Sequence, residues 1–184
     1  VAHDEVEAMT LGQRVAVLRD GVLQQFDTPQ RLFREPVNLF VAAFIGSPSM
    51  NFVQATAADG AVSFAGLRIP VPGRWPTRSR DSRTSRSVIL GIRPTAFAAT
   101  SGTGWPTLQV VPEVVEELGD ERYVIFDVDA PRVDTEDTRA AVEARAADDA
   151  LLVPEDRARF TVRSATDVPI EVGRPTPLAV NPHR

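Results

Sequence analysis

The sequence predicts a mainly β protein in which an OB-like barrel follows a short α/β segment. From Asn51 onward, short runs suited to β-strands recur between turn-forming residues, at a spacing of roughly 8–12 residues. Residues 1–46 instead combine helix signals with a single hairpin signal. Many short strands with regular turns are typical of a small sandwich or barrel, and a partly open OB-like barrel fits their number.

The chain opens with a helix signal. Asp4 and Glu7 resemble a capping box in which aspartate replaces the usual serine or threonine, and Gly12 is typical of a helix end. His3 therefore lies just before a predicted helix N-terminus, where anions are favoured. A neutral imidazole can bond a phosphate oxygen, so a phosphate contact and a purely structural role both remain open for His3.

A hairpin and two further helices are predicted next. Asp20-Gly21 is a preferred pair for a tight type I′ turn. Thr28 followed by proline marks a helix start, and Asn38 is expected to cap a third helix that ends near Gly46. These elements bury little on their own. We therefore expect residues 1–46 to be the tail of a larger domain.

The predicted β region contains strands of several kinds. "FVQATAADGAVSFAG" is expected to form a hairpin that turns at Asp59-Gly60, and "LRIPVPG" an edge strand, because proline cannot donate to a ladder. "SVILGIRP" is expected to be a buried strand. "TLQVVPEVVEELGDERYVIFDVD" is expected to form two long strands, with an edge or bulge at Pro112.

Three more strands are predicted toward the end of the chain, in "RFTVR", "VPIEV" and "TPLAV". The intervening stretch "TRAAVEARAADDALLV" does not fit a strand, since its alanines and spacing favour a helix or a mobile insertion near residues 138–150.

Composition excludes several classes of function. The formal net charge of −5 argues against broad nucleic-acid binding. Cysteine is absent, and two histidines make a histidine-rich metal site improbable, so no metal site is expected. All basic residues are arginine, which excludes a Walker A loop and a lysine Schiff base. We find neither a signal peptide nor an apolar run of about 18 residues.

Two charged clusters each have a functional and a structural interpretation. A basic cluster suggests a phosphate or RNA contact, but a solvated serine/arginine loop is favoured; it comprises Arg74, Arg78, Arg80, Arg83 and Arg86. An acidic cluster suggests an acid/base pair or a metal site, but neighbouring strand residues point to opposite faces, so a charged turn is favoured; it comprises Glu116, Glu117, Asp120 and Glu121.

Five ordered motifs resemble the C-terminal part of the ATP-binding subunit of bacterial ABC importers of the carbohydrate-uptake group, which includes the maltose and glycerol-phosphate types. The motifs are "HDEVEAMTL", "RVAVLRDG", "DTPQRLF", "NLFVAAFIGSPSMNF" and "LGIRP". The resemblance is dense over the first fifty or so residues and sparser beyond them, where "LGIRP" and "VVEELGDE" carry it.

The resemblance implies a role for each part of the chain. His3 corresponds to the switch histidine, which contacts the γ-phosphate of ATP in the intact protein. Residues 1–46 correspond to the C-terminal tail of the nucleotide-binding domain, and residues 47–184 to the regulatory TOBE domain, an OB-like barrel. An interface motif of the regulatory domain is expected at Met50, Asn51, Phe52, Gly91, Arg93 and Pro94.

Partners and cofactors follow from the same resemblance. The intact parent is expected to be an ATPase that uses ATP and magnesium, and to lie on the cytoplasmic face of the cell membrane. Its expected partners are a second ATPase subunit in a homodimer, membrane-spanning permease subunits, a solute-binding protein reached indirectly, and a regulatory protein. No nucleic-acid partner is expected.

Departures from the family pattern leave alternatives open. The phosphate loop, the signature motif and the Walker B carboxylate are absent, so this chain alone is expected to be inactive, to need no cofactor, and to bind Mg-ATP weakly or not at all. The alternatives are a stand-alone OB-like module, which binds an oxyanion or a regulator, and a degenerate gene remnant. The solute stays open, since iron and polyamine importers share parts of this architecture.

Overall fold

The computed structural model describes residues 5–71, 85–99, 104–144, 156–165 and 169–182. It divides into two compact units. Unit 1 comprises residues 1–50 and 134–152, and unit 2 comprises residues 51–133 and 153–184. None of the helices in the described ranges is long and apolar enough to cross a membrane.

In the described part of unit 1 there are one hairpin and four short helices. The hairpin pairs its two strands antiparallel. The elements in chain order are α1 (Glu5–Leu11), β1 (Val15–Arg19), β2 (Val22–Asp27), α2 (Pro29–Arg34), α3 (Leu39–Phe44) and α4 (Glu136–Ala144). The first five agree with the predicted order. For the alanine-rich stretch, where a helix or a mobile insertion was expected, α4 is a helix as far as Ala144, and residues 145–153 lie outside the described residues.

Local signals determine where these elements start and turn. The side chain of Thr28 accepts a hydrogen bond from the amide of Arg31 at 3.4 Å, and Asn38 accepts one from the amide of Val41 at 2.9 Å. Both residues are therefore N-caps, as predicted. Asp20 and Gly21 have φ angles of 49° and 77°, the left-handed pair that a type I′ turn requires.

The core of unit 1 is built mainly from α3. Arg19, at the end of β1, lies with its guanidinium carbon 5.6 Å from the centre of the Phe40 ring. Phe40 stacks on Phe44 with ring centroids 5.7 Å apart. The buried apolar residues are Val17, Leu32, Phe40, Val41, Ala42, Ala43, Ile45 and Ala141.

Unit 2 is built almost entirely from antiparallel strands. They are β3 (Asn51–Ala58), β4 (Ala61–Phe64), β5 (Leu67–Pro70), β6 (Arg86–Ile92), β7 (Phe97–Ala98), β8 (Thr107–Val110), β9 (Val114–Leu118), β10 (Glu121–Val128), β11 (Ala158–Ala165) and β12 (Thr176–Val180), with a short 3₁₀ turn at Pro94–Ala96. Over the residues that the structure describes, they form three sheets, ordered β5-β4-β3-β6, β11-β10-β9 and β7-β12-β8.

Aromatic packing around one residue forms the centre of unit 2. Phe160, on β11, is fully buried and lies 6.0–6.1 Å, between ring centroids, from Phe64, Phe97 and Phe126. These rings come from all three sheets. Since aromatic side chains bury large areas, Phe160 joins the three sheets into one core.

Four details differ from the sequence-based predictions. "SVILGIRP" was expected to be buried, but β6 is an edge strand with Ile89 41% exposed. "VPIEV" forms no strand over residues 169–172, because the chain turns there toward Gly173, whose amide bonds the carbonyl of Pro112. The strand expected around Pro112 is divided into β8 and β9, which belong to different sheets. Residues 134–152 group with unit 1, although the sequence placed them within the 47–184 domain.

Candidate functional site

The two segments of the predicted interface motif lie side by side on neighbouring strands. In the antiparallel pair of β3 and β6, Asn51 is opposite Ile92 and Phe52 is opposite Gly91. Arg93 and Pro94 follow β6 directly, and Pro94 opens the 3₁₀ turn. The fold thus brings together two motifs that are far apart in the sequence.

Asn51 uses its side chain to join two sheets. Its Nδ2 donates to the carbonyl of Thr161 at 2.9 Å, and the amide of Thr161 donates to its Oδ1 at 2.7 Å. The side-chain amide therefore satisfies both backbone groups of a residue on β11, as a neighbouring strand would. Asn51 is buried, so its observed contacts are structural.

Arg93 brings a positive charge into the interior. Arg93 is only 7% exposed, and this burial lowers the pKa of its guanidinium to about 10. The side chain is still protonated at neutral pH, because its pKa lies well above 7. Its carbonyl accepts a hydrogen bond from the amide of Ala96 at 2.9 Å, which closes the 3₁₀ turn.

The other motif residues differ in exposure. Pro94 is buried, Met50 and Phe52 are partly buried, and Gly91 is exposed. Met50 is the last residue of unit 1 before the division between the units. The motif is therefore part interior and part surface, and an interface role for it stays a prediction.

The proposed phosphate-contacting residues lie mostly outside the described part of the chain. His3 lies outside the described residues, as do Arg74, Arg78, Arg80 and Arg83 of the basic cluster. Arg86 is described and is exposed at the start of β6. The roles suggested for these residues remain predictions.

The acidic cluster lies at a hairpin turn, and two of its four members pair with arginines. Glu117 bonds Arg122 at 2.7 Å on the neighbouring strand, and Glu121 forms an ion pair with Arg163. Glu116 lies opposite Tyr123 and is exposed. Within the described ranges, no group of histidine, cysteine or acidic residues could hold a metal ion. These contacts fit the interpretation as a charged turn.

A second ion-pair network on this sheet was missed by the sequence analysis. Arg159, on β11, bonds Asp127 through Nε at 2.8 Å and Glu113 through Nη2 at 2.8 Å. The hydrogen bond that Arg159 donates to Asp127 is the main cause that raises the pKa of Arg159. Arg159 and Asp127 are partners in the ladder of β10 and β11. The opposite charges of Arg159 and Asp127 are visible in the sequence, but they predict an ion pair only when the register of β10 and β11 is known.

Comparison with known protein families gives a match to the first part of the β region. The family model described as the MalK OB fold domain matches residues 46–97. This match covers the motif on β3 and β6, and it confirms the predicted fold class, a mainly β structure with an OB-like domain.

Known proteins are similar along most or all of the chain. The diacetylchitobiose uptake system ATP-binding protein MsiK of Streptomyces coelicolor is 40% identical over 79% of this chain and 42% of its own length. The trehalose/maltose import ATP-binding protein MalK of Thermococcus litoralis is 44% identical over 67% of this chain and 35% of its own. The trehalose import ATP-binding protein SugC of Mycobacterium tuberculosis is 34% identical over 100% of this chain and 47% of its own.

These similarities separate the two main hypotheses. The chain spans less than half the length of each of these three relatives, and it matches their C-terminal region. The relatives are named as import ATP-binding proteins, which supports the transporter hypothesis over the stand-alone module. The chain therefore corresponds to the C-terminal region of the ATP-binding subunits of carbohydrate ABC importers.

Proposed function

We propose that this chain is part of an ATPase subunit that drives the import of a sugar or a glycerol-phosphate-like solute. The observation that carries the proposal is the similarity, over 100% of the chain, to a trehalose import ATP-binding protein, together with the MalK-type OB domain at residues 46–97. Other relatives are named as maltose and sn-glycerol-3-phosphate import proteins, which defines the proposed range of solutes.

In the intact subunit, ATP and magnesium are the proposed cofactors. His3 is the one residue of this chain that we assign to the reaction, as the donor of a hydrogen bond to the γ-phosphate. An imidazole N–H suits this role because it can be held in one orientation by its other ring nitrogen. The lysine of a phosphate loop would come from elsewhere in the subunit, since the chain has no lysine.

The surface of the hairpin in unit 1 supports its assignment to a larger nucleotide-binding domain. On one face of β1 and β2, Leu18 pairs with Leu23 and Ala16 pairs with Phe26. Leu18, Leu23 and Phe26 are 50–58% exposed. A two-stranded hairpin is marginal by itself, and an apolar face of this kind is typical of a covered surface. We assign its cover to the body of the nucleotide-binding domain.

The proposed assembly is that of an ABC importer, because the relatives are named as import ATP-binding proteins. The subunit pairs with a second copy, lies on the cytoplasmic face of the membrane and contacts permease subunits, while a solute-binding protein acts through those permeases. Residues 47–184 serve as the regulatory domain, and the partly exposed pair of Phe52 and Gly91 is the proposed surface for the second copy or for a regulatory protein.

The role of His3 can be tested in the intact subunit assembled with its permease. His3→Ala is expected to slow ATP hydrolysis by at least about a hundredfold, the usual range for the loss of a positioned polar group at a reacting centre. Binding of Mg-ATP should change little, because the phosphate loop supplies most of its contacts. Steady-state phosphate release and a nucleotide-binding titration measure the two effects.

His183→Ala is the matched control, since it removes the other histidine of the chain, and it should hydrolyse ATP at the normal rate. Hydrolysis by His3→Ala at the normal rate would exclude the assigned role. The importer function itself is tested separately, by ATP-dependent uptake of labelled trehalose, maltose or glycerol 3-phosphate into vesicles. If none of these enters, the proposed range of solutes is wrong.

A further inference from the structure

Helix α4 belongs to one unit by its contacts and to the other by its place in the chain. β10 and β11 are antiparallel neighbours, and their pairing ends at Val128 opposite Ala158. The connection between these two strands therefore starts and finishes within unit 2. Residues 134–152 of this connection nevertheless group with unit 1, where α4 packs against α3.

The N-terminus of α4 is closed by its own side chains. Thr135 and Thr138 bond each other's backbone amides reciprocally, at 3.0 and 3.2 Å, in the manner of a capping box. Asp134 accepts a hydrogen bond from Nε of Arg139 at 2.6 Å. The first amides of α4 therefore have partners close by in the chain, and the carboxylates of Glu136 and Asp137 are available for contacts with other elements.

Arg19 makes those contacts. Its Nη1 donates to Asp137 at 2.6 Å and its Nη2 donates to Glu136 at 2.7 Å. The Arg19 side chain is 19% exposed, whereas Glu136 and Asp137 are 90% and 39% exposed, so only the arginine end of these bonds is shielded from solvent. Two carboxylates in the first turn of a helix are also favoured by its dipole.

The same guanidinium lies over Phe40, with 5.6 Å between its carbon and the ring centre. Phe40 is a buried residue of α3. Arg19 therefore connects the end of β1, helix α3 and the first turn of α4 at one point. The planar guanidinium suits this position because it can bond two carboxylates and stack on a ring at once.

We propose that residues 134–144, held by Arg19, act as a latch that completes unit 1 with a segment of the β domain. The chain then links the units at two places, after Met50 and through the connection between β10 and β11. The proposal rests on contacts within unit 1 and does not require the proposed transport function.

Hydrogen–deuterium exchange on the whole chain tests the latch. Arg19→Glu should reduce the protection of α4 amides by about tenfold or more, since two charge-assisted hydrogen bonds become repulsions. Arg31→Glu is the matched control, because Arg31 also pairs with two carboxylates, Asp27 and Glu35, but at the surface of α2. It should leave α4 protection unchanged.

A charge swap distinguishes the latch from general unfolding. Arg19→Glu combined with Glu136→Arg and Asp137→Arg should recover part of the lost α4 protection. If Arg19→Glu does not fold, Glu136→Gln with Asp137→Asn provides the same test from the exposed side and should lower α4 protection while unit 2 stays protected. Unchanged α4 protection in either single-sided variant, or an equal loss in Arg31→Glu, would overturn the proposal.

Discussion

Two buried amide side chains replace missing backbone partners in this protein. Asn51 bonds both backbone groups of Thr161. Gln25 acts in the same way in unit 1, where it accepts from the amide of Val37 at 3.0 Å and donates to the carbonyl of Glu35 at 3.2 Å. An amide carries a donor and an acceptor in one plane, so it can complete a backbone pairing where no strand is available.

Asn51→Ala is expected to destabilise the chain by about 1–3 kcal/mol, because the N–H and the C=O of Thr161, which are partly buried, each lose their partner. Urea unfolding followed by circular dichroism measures the change. Gln54→Ala is the control on the same strand, since Gln54 makes a longer, exposed bond of 3.3 Å to the carbonyl of Arg132, and it should cost less than about 0.5 kcal/mol.

The variant Asn51→Asp adds a pH test of the same contact. A carboxylate cannot donate to the carbonyl of Thr161, so burial should raise the pKa of this carboxyl above its ordinary value of about 3.9. An acid whose pKa is raised by folding binds protons more tightly when folded, so the variant should lose stability, relative to the wild type, as pH rises through about 4. A constant difference between pH 3 and 7 would show that the Nδ2 bond contributes nothing.

At the scale of single elements, the turns were the feature that the sequence predicted best. Asp20-Gly21 and Asp59-Gly60 both adopt positive φ at both positions, as the type I′ pattern predicts. The helix caps also lie where the sequence places them. Each of these features depends on a few neighbouring residues, and the backbone conformation they need is available only to a few residue types.

Gly60→Ala is expected to lower the free energy of unfolding by about 1–2 kcal/mol, the cost of a left-handed conformation for an L-residue. The φ of Gly60 is +69°, and no atom lies within 4 Å of the position of an added Cβ, so the cost comes from the backbone alone. Asp59→Asn is the control, because asparagine tolerates this conformation. Equal stability of the two variants in urea would contradict a type I′ turn at this site.

Strand pairing was predicted less well from the sequence than the turns were. The stretch around Pro112 alternates like one long strand, yet β8 pairs with β12 and β9 pairs with β10. Proline lacks the N–H that a ladder needs, so Pro112 predicts an interruption of the strand. It does not predict which strands pair with the segments on either side. β6 has an apolar sequence but lies at a sheet edge, because edge position depends on where the other strands pair.

For the whole molecule, the two units differ in their independence. The main hydrophobic core, which includes Val53, Phe126 and Leu178, comes entirely from unit 2. Unit 1 has a smaller buried set and combines residues 1–50 with a segment that is distant in the chain. We therefore expect the β domain, and not residues 1–50, to fold alone.

This expectation is tested with residues 51–184 in which a Gly/Ser linker of equal length replaces residues 134–152. The variant should unfold cooperatively and give a near-ultraviolet circular dichroism signal, because β10 and β11 still pair from Glu121 to Val128. Residues 1–50 alone should give neither, since they lack α4. A folded 1–50 peptide, or an unfolded β-domain variant, would show that the division into units is incorrect.

The sequence by itself determined the turns, the helix caps, the mainly β class and the resemblance to importer ATP-binding proteins, because each of these is encoded in neighbouring residues or in short ordered motifs. It also showed that the chain has no lysine for a phosphate loop. Only the tertiary structure decided that Asn51 pairs with Thr161, that Arg19 holds α4, and that β8 and β9 separate. These contacts join distant positions, and a partner at long range is chosen by the register and packing of the whole chain.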